Sequence, residues 1–134
     1  MKDTGSELKT VRALSPQSDS GGSAVNGAVI DRKGYESAVM TVITGAIGGS
    51  PTSMSMAIKV QHGDASNLSD AADVSGATGT ITAADSVKEI DVDLKSLKRY
   101  IRVTQTTTFV SGSSPTVLVG ASCSMGEAQI KPAS

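Results

Sequence analysis

"MSMAIKVQHGD", residues 54–64, opens with strict alternation: Met54, Met56, Ile58 and Val60 are separated by Ser55, Ala57, Lys59 and Gln61. A period of two belongs to a β-strand with one face buried, because successive side chains leave opposite faces of the strand. The stretch closes on His62, the only histidine in the chain, followed by Gly63 and Asp64. Glycine tolerates positive φ and aspartate is a favoured turn residue, so His-Gly-Asp reads as the place where the strand runs out. The competing reading, a catalytic or metal-binding histidine, needs partners: a nucleophile and an orienting group, or further His or Cys ligands. No second histidine exists to supply one.

Working outward, seven further segments carry strand patterning: residues 8–14 (LKTVRAL), 24–31 (AVNGAVID), 36–47 (ESAVMTVITGAI), 78–83 (TGTITA), 88–94 (KEIDVDL), 99–110 (RYIRVTQTTTFV) and 116–124 (TVLVGASCS). Clusters of Gly, Ser, Pro, Asn and Asp separate them, the long stretch 62–77 among these, and supply turns and loops. Only residues 66–74 and 93–100 have helical character, enough for a turn or two. About eight short strands in one domain-sized chain predict an all-β, antiparallel β-sandwich of jelly-roll type.

The composition bounds the function. With 134 residues the chain has one core to build, and no tryptophan, two tyrosines and one phenylalanine to build it with. Val, Ile, Ala, Leu and Met must fill the interior, and no aromatic platform is left over for stacking a base or a sugar. Twelve Lys and Arg face thirteen Asp and Glu, a formal charge of −1, which argues against a phosphate-binding surface and predicts no nucleic-acid partner. No apolar run is long enough to span a bilayer, so no membrane partner is expected, and the start of the chain lacks a signal-peptide pattern. Synthesis in a cytoplasm-like compartment is the expectation.

Candidate chemistry is thin. Cys123, the only cysteine, sits in a strand-like stretch without a neighbouring cation and reads as a small buried apolar residue. Glu89, Asp91 and Asp93 alternate with Ile90, Val92 and Leu94, so the three carboxylates share one solvated face rather than form a calcium loop. The glycine-rich stretches 20–23 and 45–50 lack the Gly-Lys-Ser/Thr ending of a phosphate loop, and "GASCS" is not a nucleophile elbow. The threonines of 104–108 are ordinary strand formers. No catalytic residue, cofactor or metal ligand is assigned, and the chain is read as not an enzyme.

Residues 1–23 are polar, with one small apolar cluster ahead of Pro16, and predict an extended N-terminal arm before a sandwich domain over 24–126. Residues 127–134 form a short tail in which Pro132 disfavours strand.

Three stretches carry a resemblance: "DRKGYESAVMTVITGAI" (31–47), "MAIKVQHGDASNLSDAADV" (56–74) and "KRYIRVTQTTTFVSGSSPTVLVGASCSM" (98–125). A polar Gly-Tyr-Glu-Ser lead-in to a long strand, a strand ending in a Gly-Asp turn, an Ala/Asp-rich loop and a Tyr-Ile-Arg-Val strand before a small-residue strand resemble the head decoration, or cement, proteins of tailed bacteriophages. The resemblance covers residues 25–126. It implies a virion protein on the capsid surface that binds across neighbouring major capsid protein subunits and stabilises the head, working as a homo-oligomer, a dimer or trimer. Within the same resemblance a head-tail connector or tail-tube protein is the alternative, and a receptor- or glycan-binding module is a further one. Composition places the partner contacts on the arm, at Leu8, Val11, Arg12 and Leu14, and on the basic stretch Lys95, Lys98, Arg99 and Arg102.

Overall fold

The computed structural model describes residues 9–94 and 97–126, which form nine strands and no helix. They are β1 (Lys9–Asp19), β2 (Ala24–Asn26), β3 (Ile30–Asp31), β4 (Ser37–Gly48), β5 (Ser53–Gly63), β6 (Ala72–Ile81), β7 (Val87–Asp93), β8 (Tyr100–Val110) and β9 (Thr116–Gly126). The chain folds back on itself at the loop between β5 and β6. From there strands pair antiparallel in successively wider turns: β5 with β6, β4 with β7, β3 and β2 with β8, β1 with β9. Rolling that long ribbon over itself adds the pairs β4 with β9 and β5 with β8, and gives two facing sheets, β1-β9-β4-β7 and β2-β8-β5-β6. This is the jelly-roll arrangement of an antiparallel sandwich.

The alternation read at residues 54–60 is realised in β5. Met54, Met56, Ile58 and Val60 are buried, while Ser53, Ser55 and Ala57 face outward. From the opposite sheet Met40 and Val42 of β4 and Val117, Val119, Ala121, Cys123 and Met125 of β9 meet them. Small aliphatics and methionines fill the interior between the layers, as a chain so poor in aromatic residues requires. Tyr35 is the one buried aromatic, and Phe109 packs against the cluster from its edge.

Three expectations change on contact with the fold. The segment read as an extended arm, whose residues 8–14 carry strand patterning, is in its described part docked on the sandwich: the strand Lys9–Asp19 runs past Leu14 and pairs with β9 from Met125 to Val117. It docks because Ala13, Leu14 and Asp19 bury their side chains between the sheets, while register shifts between Arg12 and Gln17, around Pro16, bend this edge strand and protect it from further pairing. Residues 1–8 and the tail 127–134 lie outside the described residues. The strand expected over 24–31 is broken into β2 and β3, both paired with β8: the Gly27 N–H still donates to the Val103 carbonyl of β8 at 2.7 Å, while the Ala28 N–H turns to the Ala13 carbonyl of the other sheet at 2.8 Å. A Cβ at Gly27 would collide with the Ala13 carbonyl oxygen, so only glycine fits the crossing. Finally, β6 begins at Ala72, inside the stretch read as loop, where Asp73 and Ala72 pair with Gln61 and His62.

Candidate functional site

The His-Gly-Asp corner is the natural place to begin. His62 is the penultimate residue of β5, paired with Ile101 on one side and Ala72 on the other. Its Nδ1 accepts the Lys98 backbone N–H at 3.1 Å. Gly63 is buried where a Cβ would strike the Asp70 carboxylate. That carboxylate closes the turn by accepting the Asp64 N–H at 2.9 Å and the Ala65 N–H at 3.2 Å, and these two hydrogen bonds hold its pKa below the ordinary 3.8. The His62 Nδ1, the Asp64 and Ala65 N–H groups and the Asp70 carboxylate are engaged in holding this corner together. Among the described residues no three His, Cys, Asp or Glu side chains come together as a metal site.

Beside it, the loop between β7 and β8 is pinned by charge. Asp31 receives both Arg99 Nε at 3.0 Å and Nη2 at 2.8 Å, and this paired hydrogen bond lowers the Asp31 pKa. The Arg99 guanidinium also lies over the Tyr100 ring, 5.2 Å from its centre. Arg32 donates to the carbonyls of Leu97 and Lys98. Lys98 Nζ stands 3.6 Å from Asp64 Oδ2. On the outer face of the β5 sheet, Arg102 Nε donates to Gln61 Oε1 at 2.9 Å, Gln61 Nε2 donates to Asp73 Oδ1 at 2.9 Å, and Lys59 Nζ reaches Asp73 Oδ2 at 3.2 Å. This ladder crosses β8, β5 and β6 and lowers the Asp73 pKa, chiefly through Gln61.

Of the residues singled out for partner contact, Lys98, Arg99 and Arg102 thus lie close together at one corner, each already engaged by its own chain. Val11 and Arg12 lie elsewhere, on β1, with Arg12 exposed and Val11 half-buried. Leu14 is 3% exposed and belongs to the core, so its side chain offers nothing to a partner. Leu8 and Lys95 lie outside the described residues. Cys123 is buried and its thiol is pushed up to about 11 by desolvation, which keeps it from acting as a nucleophile near neutral pH.

Two features escaped the reading of the sequence. Asp19 is buried between the sheets, where Oδ2 accepts Gln105 Nε2 at 2.9 Å and Thr107 Oγ1 at 2.7 Å, and Oδ1 accepts the Gly21 N–H at 2.9 Å. Its signal was available in β8, where Gln105 and Thr107 occupy the same parity as the buried Ile101 and Val103. The second is apolar: Ile43, Val87 and Leu118 are 50%, 61% and 50% exposed, all on the outer face of the β4 sheet. A groove of about 740 Å³ runs along that face, lined by Ile43, Gly45, Leu118, Gly120, Pro16 and Arg12 among others.

No protein-family model matches the chain. No curated protein matches it either. Solved structures do share its fold. The infectious bursal disease virus VP2 subviral particle aligns with 91% of this chain and 33% of its own at 10% identity and a TM-score of 0.52. The Gx strain of the same virus aligns with 88% of this chain and 31% of its own at 11% identity and a TM-score of 0.50. The SPBc2 prophage-derived protein YomS aligns over 89% of this chain and 92% of its own at 15% identity and a TM-score of 0.44. The chain spans about a third of the length of the two bursal disease virus chains. At these identities the likeness to the two bursal disease virus chains is one of fold.

Proposed function

We propose that the protein is a structural component of a virion, a decoration protein that binds the outside of a phage head across neighbouring major capsid protein subunits. The observation that carries this reading is the jelly roll itself: nine-tenths of the chain superposes on part of a viral particle protein. The phage-like sequence pattern of residues 25–126 points the same way. The working surface of such a protein is its exterior, where many modest contacts repeated over a lattice combine into firm attachment.

The corner at Lys98, Arg99 and Arg102 is assigned to the capsid. The Asp31 pair, the Asp64 contact and the Gln61 hydrogen bond hold these three long side chains in fixed positions, which lowers the entropy lost when a partner is engaged.

The test is co-sedimentation of purified protein with expanded heads, followed by heating or osmotic shock. Binding that raises head resistance, and that Lys98→Glu with Arg102→Glu weakens, supports the proposal. Absence of binding and of added resistance overturns it. Cryo-electron microscopy of particles then separates a lattice over the shell from a single ring at one vertex, the latter being the mark of a connector or tail-tube protein.

A further inference from the structure

The outer face of the β4 sheet is complementary to itself. Strand register places its outward residues in rows that cross all four strands. One row runs Arg12, Ser122, Thr41, Glu89 from β1 through β9 and β4 to β7, and the next runs Thr10, Ser124, Val39, Asp91. On the other side of the first row lies an apolar one: Val87 pairs with Ile43, Ile43 with Gly120, and Pro16 of β1 covers the far side of Gly120. Leu118 leans across Gly45 just beyond. The face therefore carries a cation at its β1 edge, acids at its β7 edge, and between them protruding Ile43 and Leu118 beside positions with no side chain.

We propose that this face packs against the same face of a second copy of the chain, about a two-fold axis parallel to the strands and midway between β9 and β4. Such an axis exchanges β1 with β7 and β9 with β4 while leaving every row at its own level. Arg12 of each copy then faces Glu89 of the other, so the charged row closes with two equivalent opposite-charge pairs. In the apolar row Ile43 of each copy falls on Gly120 of the other, and Val87 falls on Pro16. Sheets stack face to face at about 10 Å with their strands nearly aligned, a gap that large side chains over glycine positions can fill. A two-fold interface must be self-complementary, and here the register supplies both the charge match and the shape match. Exposed apolar residues gathered on one face are the mark of such a contact. This pairing concerns the isolated protein and does not rest on capsid binding, which is proposed for other residues, Lys98, Arg99 and Arg102.

Sedimentation velocity on the full chain tests it, with circular dichroism confirming that each variant keeps its fold. The chain is expected to sediment as a dimer. Ile43→Lys, which places a charge against the partner's apolar row, is expected to weaken the dimer by about a hundredfold or more. Arg12→Glu and Glu89→Arg each reverse two pairs and are expected to weaken it about tenfold, while the two changes combined in one chain restore it. A chain that remains monomeric at high concentration, a trimer, a dimer that Ile43→Lys leaves intact, or a double charge reversal that fails to restore the dimer would each overturn the proposal. Should Ile43→Lys fail to fold, the charge-reversal set decides alone.

Discussion

On the β4 sheet the exposed apolar side chains gather on the outer face, where Ile43, Val87 and Leu118 stand in solvent. On the inner face of the β5 sheet the exceptions are polar: Gln105 and Thr107 of β8 turn inward and take hold of Asp19 from the opposite sheet. The outside of the β5 sheet carries Ser53, Ser55, Ala57, Thr106 and Thr108, with Val110 exposed at its end, and is crossed by one polar ladder. Exposed apolar surface and buried polar groups are the two informative exceptions in a folded protein. They have opposite physical consequences: the first stabilises only when another molecule covers it, and the second stabilises the isolated chain by tying its layers together.

The largest effect on the folded chain is therefore expected from the inner exception. Asp19→Ala removes the acceptor of two side-chain donors and of the Gly21 N–H, leaving buried polar groups without partners. The expected loss is about 3 kcal/mol, read from denaturant midpoints. Ile43→Ser, measured at a concentration where the chain is monomeric, is expected to change stability by no more than about 0.5 kcal/mol, because a half-exposed side chain has little burial to lose. If the two variants lose similar stability, the contrast between the faces fails.

The acid limb sharpens the contrast further. Asp31, Asp70 and Asp73 have carboxyls held below the ordinary 3.8, through the Arg99 hydrogen bonds, the Asp64 N–H and the Gln61 amide respectively. A carboxyl depressed in the folded state binds fewer protons there than in the unfolded chain, so its contribution is present above the unfolded value and disappears as pH falls through the folded one. All three groups are largely exposed, and the effect is expected to be smaller than that of Asp19→Ala. Stability should hold steady from neutral pH down to about 4 and decline below it. Asp31→Asn with Asp73→Asn should flatten that decline, and an unchanged acid limb in this double variant would remove these pairs from the account.

How much of this was legible beforehand follows the same division. Met54, Met56, Ile58 and Val60 announced their strand because both of its faces obey the rule. The same holds for Ile90 and Val92, buried opposite the outward Glu89, Asp91 and Asp93. Lys9–Asp19 was read as strand only as far as Leu14 and otherwise as an extended arm because it is polar at most positions, and what anchors it includes a buried carboxylate whose partners lie 86 and 88 residues away. No local pattern reveals a partner at that separation. The break at Gly27 was hidden for a similar reason, since the carbonyl that forbids a side chain there belongs to Ala13 of another strand. The exposed apolar patch of Val87, Ile43 and Leu118 was invisible because the three residues lie far apart along the chain, and only the β4 register sets Val87 beside Ile43. At the corner, the basic stretch was visible as composition, but its arrangement depends on Asp31, Gln61 and Asp64 from distant strands.

The smallest effect is expected on the outer face of the β5 sheet. Gln61→Ala cuts the ladder at its middle rung, separating Arg102 from Asp73 and leaving Lys59 as the cation beside that carboxylate. Each group so released is exposed or half-exposed and regains water in exchange for its lost partner, so the cost should stay within about 0.5 kcal/mol. A freed Arg102, however, can no longer be presented in one position. Gln61→Ala should therefore leave stability and the sedimentation coefficient unchanged while weakening attachment to heads by a fewfold factor, about that of one rim contact. A stability loss as large as that of Asp19→Ala would mean that the outer ladder, and not the inner network, ties this sheet into the fold. An unchanged affinity for heads would mean that the ladder has no part in presenting Arg102, and the proposed contact would then move away from this rung toward Lys98 and Arg99.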